Sequence, residues 1–254
     1  MRNSTITIIL VAFFVSLSAC VTVSDKKVDN KRAASSHVAA GLEYMRQNQP
    51  ANARRHLTKA VEVDEDSAEA HNALALLYRY ERDDKREEEQ YKKALKADPK
   101  FSAARNNYGT FLARKNDYDG AIKQFSLAAE SATNDNRSLA YENKGRVLVA
   151  MDKKDEAKDA FNKAIRLNPG SSAPALELAD LHYDQGDLKA ADFYYSNYAR
   201  AVNPQPARAL WLGIRITTEL KQLDRSSSYE LALKNLYPKS AEYQAWKKWR
   251  GSSS

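Results

Sequence analysis

Residues of matching character recur in this chain at a fixed interval of 34 positions: Gly41, Ala75 and Gly109; Tyr44, Tyr78 and Leu112; Leu57, Tyr91 and Phe125; Ala60, Ala94 and Ala128. A period of this length, with small residues where two helices must touch, describes a helix-turn-helix unit that cannot bury its apolar face alone and must stack on copies of itself. Gly (8) and Pro (7) are scarce among the 254 residues, which leaves helix interiors unbroken. Beyond about residue 35 no Gly/Pro-rich break divides the chain. An all-α fold with one continuous repeat domain is expected.

The 40 basic and 33 acidic residues give a net charge of +7, but the two signs are interleaved along nearly every repeat. That mixture describes a solvated helix surface rather than a phosphate footprint, and no nucleic-acid partner is expected. Lys247, Lys248 and Arg250 around Trp246 and Trp249 are the local exception. Such a tail suits either anionic lipid headgroups or aromatic packing on the last helix. The single cysteine, Cys20, excludes an intramolecular disulfide.

Arg2 and an apolar run from Ile6 to Leu17 make a segment too short to cross a bilayer, which takes roughly twenty residues in helix. Residues 1–19 read as a signal peptide. The stretch Leu17-Ser18-Ala19-Cys20 resembles a bacterial lipobox, which implies cleavage before Cys20 and its acylation. Val21 stands where an Asp would be a retention signal, and by resemblance to lipoprotein sorting signals this implies a periplasm-facing position on the outer membrane of a Gram-negative bacterium. Residues 20–33 are expected to form the acylated cysteine and a flexible tether with a reach of about 20 Å.

The repeating residues resemble the tetratricopeptide repeat, with a small residue in the first helix and Ala, aromatic, Ala in the second. The resemblance implies a right-handed superhelical solenoid of about six repeats over 34–250, near 34–67, 68–101, 102–135, 138–171, 172–205 and 206–239, with a capping helix behind them. Departures are Glu87 at an Ala position, a two-residue insertion between Ser131 and Arg137, Tyr198 at the last Ala position of repeat five, and Arg225 where repeat six should have a small residue.

No catalytic constellation is present in the sequence. His37, His56, His71 and His182 are scattered without metal-ligand spacing, and there is no phosphate loop or nucleophile elbow. Neither a metal nor a cofactor is expected, His71 is expected to pack, and the chain reads as a binding protein rather than an enzyme. The candidate surface is the concave face of the first helices. In repeats one and two it carries Val38, Leu42, Met45, Arg46, Asn72, Leu76, Arg79 and Tyr80, expected as an apolar groove for a partner segment. In repeats three and four it carries Asn106, Asn107, Arg114, Asn143 and Arg146, whose amides suit an extended backbone and whose guanidinium groups suit carboxylates.

A lipobox followed by six such repeats resembles the PilF/PilW family of type IV pilus biogenesis lipoproteins. The segments Ala70-His71-Asn72-Ala73-Leu74-Ala75, Asn106-Asn107-Tyr108-Gly109-Thr110-Phe111-Leu112, Leu212-Gly213-Ile214-Arg215 and Leu236-Tyr237-Pro238-Lys239-Ser240-Ala241-Glu242-Tyr243-Gln244 carry the likeness over essentially the whole chain. It implies a pilotin, which escorts the pilus secretin subunit to the outer membrane and promotes its multimerisation. The alternative is a lipid-anchored adaptor for other envelope assembly, such as outer-membrane protein or peptidoglycan machinery.

Overall fold

The computed structural model describes residues 27–131 and 135–252; the signal segment and Cys20 lie outside them. In chain order the helices are α1 (27–46), α2 (Pro50–Val63), α3 (Ala68–Tyr80), α4 (Asp84–Ala97), α5 (Ser102–Arg114), α6 (Tyr118–Glu130), α7 (Arg137–Ala150), α8 (Lys154–Leu167), α9 (Ala173–Asp184), α10 (Leu188–Ala201), α11 (Ala207–Glu219), α12 (Leu223–Leu236) and α13 (Ala241–Ser252). Odd numbers from α1 to α11 open a repeat, even numbers close it, and α13 is the capping helix. No strand occurs among the described residues. This is the all-α repeat fold expected from the period.

Two boundaries differ from expectation. The chain is already helical at residue 27, the first described residue, so the last part of the expected tether belongs to α1. Once Ala34 and Val38 dock in the core, each preceding residue adds a helical hydrogen bond without a new nucleation cost. The contacts among the described residues also fall into two compact units, divided between Phe111 and Leu112, rather than one. A repeat array has no central core, because each repeat packs only on its neighbours.

The second helices begin alike because their turns are alike. The carboxylates of Asp83, Asp117 and Asp187 accept the backbone N–H groups of Arg86, Gly120 and Ala190 at 3.0, 2.9 and 3.1 Å. Each fills one of the four donors a helix start leaves open. One residue before the cap position the chain passes through the left-handed region, at Arg82, Asn116 and Gly186 before these aspartates and at Asn48 and Asp152 before Gln49 and Lys153, which make no side-chain cap bond (φ from 57° to 77°). The Arg86 N–H, and then its guanidinium, hold the Asp83 carboxyl below its ordinary value.

Packing follows the small-to-large rule. A Cβ on Gly41 would lie 2.5 Å from Leu57 Cδ2, and one on Gly145 would lie 2.6 Å from Phe161 Cε1. Leu57, Tyr91, Phe125, Phe161 and Tyr195, all at the same repeat position, are fully buried. Glu87 is also fully buried, so the helix keeps its place despite the larger, polar side chain at the Ala position.

Repeat six breaks the register. Its left-handed turn residue is Lys221 and its second helix starts at Leu223, each one place later than in the other repeats. Ser226 therefore takes the buried small-residue position expected for Arg225, and Leu233 is buried where Ala232 was expected. Arg225 turns toward α10 and donates to Asp192 at 2.8 Å and Ser196 at 3.0 Å.

Gly145→Val should cost about 1–3 kcal/mol or more, because the buried Phe161 ring has no room to retreat; thermal unfolding measures it. Asp83 has a depressed folded pKa, so its contribution is present above the unfolded value near 3.9 and is lost as pH falls through the folded one. Asp83→Asn, which keeps a capping oxygen without the titration, should make the acid-side loss of stability shallower in denaturant melts below about pH 4.

Candidate functional site

In the first unit the faces of α1, α3 and α5 are tied laterally by side chains. Ser35 Oγ donates to Glu69 Oε2 at 3.0 Å, Tyr80 Oη donates to Asn48 Oδ1 at 2.5 Å, and Asn107 Nδ2 donates to Asn72 Oδ1 at 3.0 Å. Among these ties apolar surface stays open. Leu42 is 36% and Tyr80 52% exposed, while Met45 and Leu76 are half-buried. Arg46 is ion-paired to Glu43 within its own helix. Arg79 is exposed, and its side chain makes no hydrogen bond or ion pair among the described residues.

The expected groove is thus narrower than the sequence implied. Val38 is 4% exposed and belongs to the core with Ala34, Leu57 and Leu77. Asn72 is buried, its carbonyl oxygen engaged by Asn107, and Asn106 is half-buried. Spacing alone assigned these positions to the open face. The stripes on α1 and α3 begin under neighbouring side chains and emerge only over their C-terminal halves. The remaining surface, Leu42, Met45, Leu76, Arg79 and Tyr80, offers apolar area beside a free guanidinium. That combination suits a partner segment with large apolar side chains and a carboxylate.

In the second unit Arg114 is exposed and Asn143 half-buried. The Arg146 guanidinium is already neutralised by Glu142 at 2.7 Å, so it is not the free carboxylate receptor that spacing suggested.

Sequence reasoning passed over a network on α9 and α11. Arg208 donates to both oxygens of Glu177 at 2.9 and 2.8 Å and to Asp180 at 2.9 Å. Arg215 lies 4.6 Å from the centre of the Tyr183 ring, and Tyr183 donates its hydroxyl to Glu219. Burial, and then the Glu219 carboxylate, push the Tyr183 hydroxyl up to about 12. The available signal was opposite charge about one repeat apart, as in Asp180 and Arg215.

Two other sequence features are structural. Nε2 of the buried His71 lies 2.9 Å from the Glu65 carbonyl and Nδ1 lies 2.7 Å from Gln90 Oε1, so both ring nitrogens are engaged. At the C-terminus Trp246 is buried with Leu210, Ile214 and Leu233, and Trp249 packs edge-on against Trp211 at 5.6 Å. The aromatic tail is a packed cap.

The tetratricopeptide-repeat profile matches residues 38–100 and 143–206, and a second profile of the same repeat matches 90–123. Over 235 residues the chain is 38% identical to the type IV pilus assembly protein PilF of Pseudomonas aeruginosa, covering 91% of this chain and 93% of that protein. The chain is a tetratricopeptide-repeat protein of the PilF/PilW type.

Solved structures agree. The structure of Pseudomonas aeruginosa PilF superposes with a TM-score of 0.82 at 37% identity, covering 87% of this chain and 99% of that one. That of PilW, a widely conserved type IV pilus biogenesis factor, gives 0.74 at 26% identity, covering 84% and 97%. In this PilF/PilW-type chain the amide tie between α3 and α5 is a local test of the site's rigidity. A double-mutant cycle of Asn72→Ala and Asn107→Ala should return a coupling of about 0.5–1.5 kcal/mol in denaturant unfolding, the net worth of one neutral hydrogen bond.

Proposed function

We propose that this chain serves type IV pilus biogenesis as a pilotin: an outer-membrane lipoprotein, acylated at Cys20, that binds the secretin subunit, brings it to the outer membrane and promotes its assembly into the multimeric pore. The observation that carries the reading is near full-length similarity to PilF, at 38% identity across 91% of the chain. The lipobox residues Leu17-Ser18-Ala19-Cys20 support the anchor. Several acyl chains, each buried CH₂ contributing about 0.8 kcal/mol, would hold the protein on the bilayer while the repeats face the periplasm.

The binding step needs no turnover. Leu42, Met45, Leu76 and Tyr80 supply apolar area that dries on contact, and Arg79 supplies a cation for a carboxylate on the secretin segment. Leu42 and Tyr80 are exposed, so changing them costs the fold little.

Leu42→Glu and Tyr80→Ala should keep the parent melting temperature to within a few degrees, yet reduce secretin capture and the yield of heat-resistant secretin multimers on gels. Normal multimers from these folded variants would move the contact elsewhere. Cys20→Ala should leave the repeats folded and shift the protein out of the outer-membrane fraction. Intact secretin multimers in a deletion strain with defective envelope growth would replace the pilotin reading with the envelope-adaptor one.

A further inference from the structure

The register break in repeat six opens a second site, on helices the proposed groove does not use. In repeats one and four the large side chain of the second helix seats on the small residue of its own first helix, Leu57 on Gly41 and Phe161 on Gly145. Repeat six has no such partner, because the slip brings Glu230 to the aromatic position. The side chain against Gly213 is instead Tyr195, from α10 of the preceding repeat. Tyr195 donates its hydroxyl to Gln205 at 2.5 Å, and Tyr229 of α12 meets its ring edge-on at 5.5 Å. Between α10 and α12 a recess of about 640 Å³ remains.

Its lining has a definite chemistry. Lys189, Phe193 and Arg200 lie along one face of α10, at spacings of four and seven residues, and Arg225 faces them from α12. Phe193 is 62% exposed, a large aromatic ring open to water between two cations. Asp192 is neutralised by Arg225 at 2.8 Å. Lys189 makes no hydrogen bond or ion pair among the described residues, and Arg200 donates to the neutral Asn197 amide. The recess therefore keeps about two uncompensated positive charges beside an apolar ring.

We infer that this recess is a second docking site, which takes an acidic peptide segment of a protein partner, its carboxylates on Lys189 and Arg200 and a large apolar side chain over Phe193. A peptide fits the lining better than a phosphate headgroup. Besides the cations, the recess is lined by the Ser196 hydroxyl and the Asn197 and Gln205 amides, each bonded within the protein but with a lone pair left for a backbone N–H group, which a phosphate diester lacks. The charges set the sign of the partner and the exposed ring sets its anchor.

The test uses the full chain, purified in detergent, and a fluorescein-labelled peptide of about ten residues in which Glu alternates with Leu and Phe. A counterpart with Lys for Glu is the control. Fluorescence anisotropy should show the acidic peptide binding about tenfold or more tighter than the basic one, with the preference shrinking as salt rises. The double variant Lys189→Glu, Arg200→Glu should abolish that preference, and Phe193→Ala should weaken binding of the acidic peptide by about tenfold. All three side chains are exposed, so circular dichroism melts should match the parent, which separates lost binding from lost fold. Every measurement is made in the Leu42→Glu background, so that peptide taken up by the proposed groove on α1 and α3 does not mask binding at the recess. Equal binding of both peptides, or full binding by the charge-reversed variant, overturns the inference. So does binding of phosphatidylglycerol vesicles, rather than peptide, that responds to the substitutions.

Discussion

The structure depends on one repeated contact, a large side chain of one helix pressed against the backbone of another at a residue with little or no side chain. At Gly145 the Phe161 ring comes so close that a single added carbon would lie 2.6 Å from it. Packing at that distance excludes voids and sets the helix separation, so the pair behaves as a rigid unit. Each unit then leaves an apolar face for the next, and stability accumulates by neighbours rather than around a centre. The division of the chain into two compact units inside α5 is a consequence of the same principle.

Where that contact changes, the surface changes with it. One additional residue before the turn of repeat six rotates α12 so that Ser226 and Leu233 face inward and Arg225 faces α10. The buried side of α11 is then completed by Tyr195 from the repeat before and by Leu233 and Trp246 from α12 and α13. A helix rotates about 100° per residue, so one residue is enough to exchange a core position for a surface one. A short insertion in a repeat thus acts less as damage than as a means of making one repeat unlike the others.

The charged surface follows a related logic. Oppositely charged side chains about one repeat apart find each other across first helices, as Arg208 does with Glu177 and Asp180, and these pairs leave little net charge to act on a partner. The cations left over include Arg79 on α3 and Lys189 on α10, each beside apolar surface. Net charge on the whole chain says nothing about where such residues sit.

Much of the fold was legible in the sequence because the repeat rule is local. The 34-residue recurrence of Gly41, Leu57 and Ala60 reports contacts between elements adjacent in the chain, and adjacency is what a sequence records directly. The family was legible for the same reason, since framework segments such as Asn106-Asn107-Tyr108-Gly109 are read in order. Burial at the margins was not. Val38 and Leu42 share one helical stripe, yet Val38 lies in the core and Leu42 in water, because the neighbouring helices cover only part of α1. The reach of α1 back to residue 27, the one-residue slip at Lys221 and the recess beside Phe193 likewise came only from the tertiary structure. Periodicity specifies which face of a helix is apolar. How far a neighbour extends along that face, and which side chain fills a vacated position, depend on how the helices pack in three dimensions.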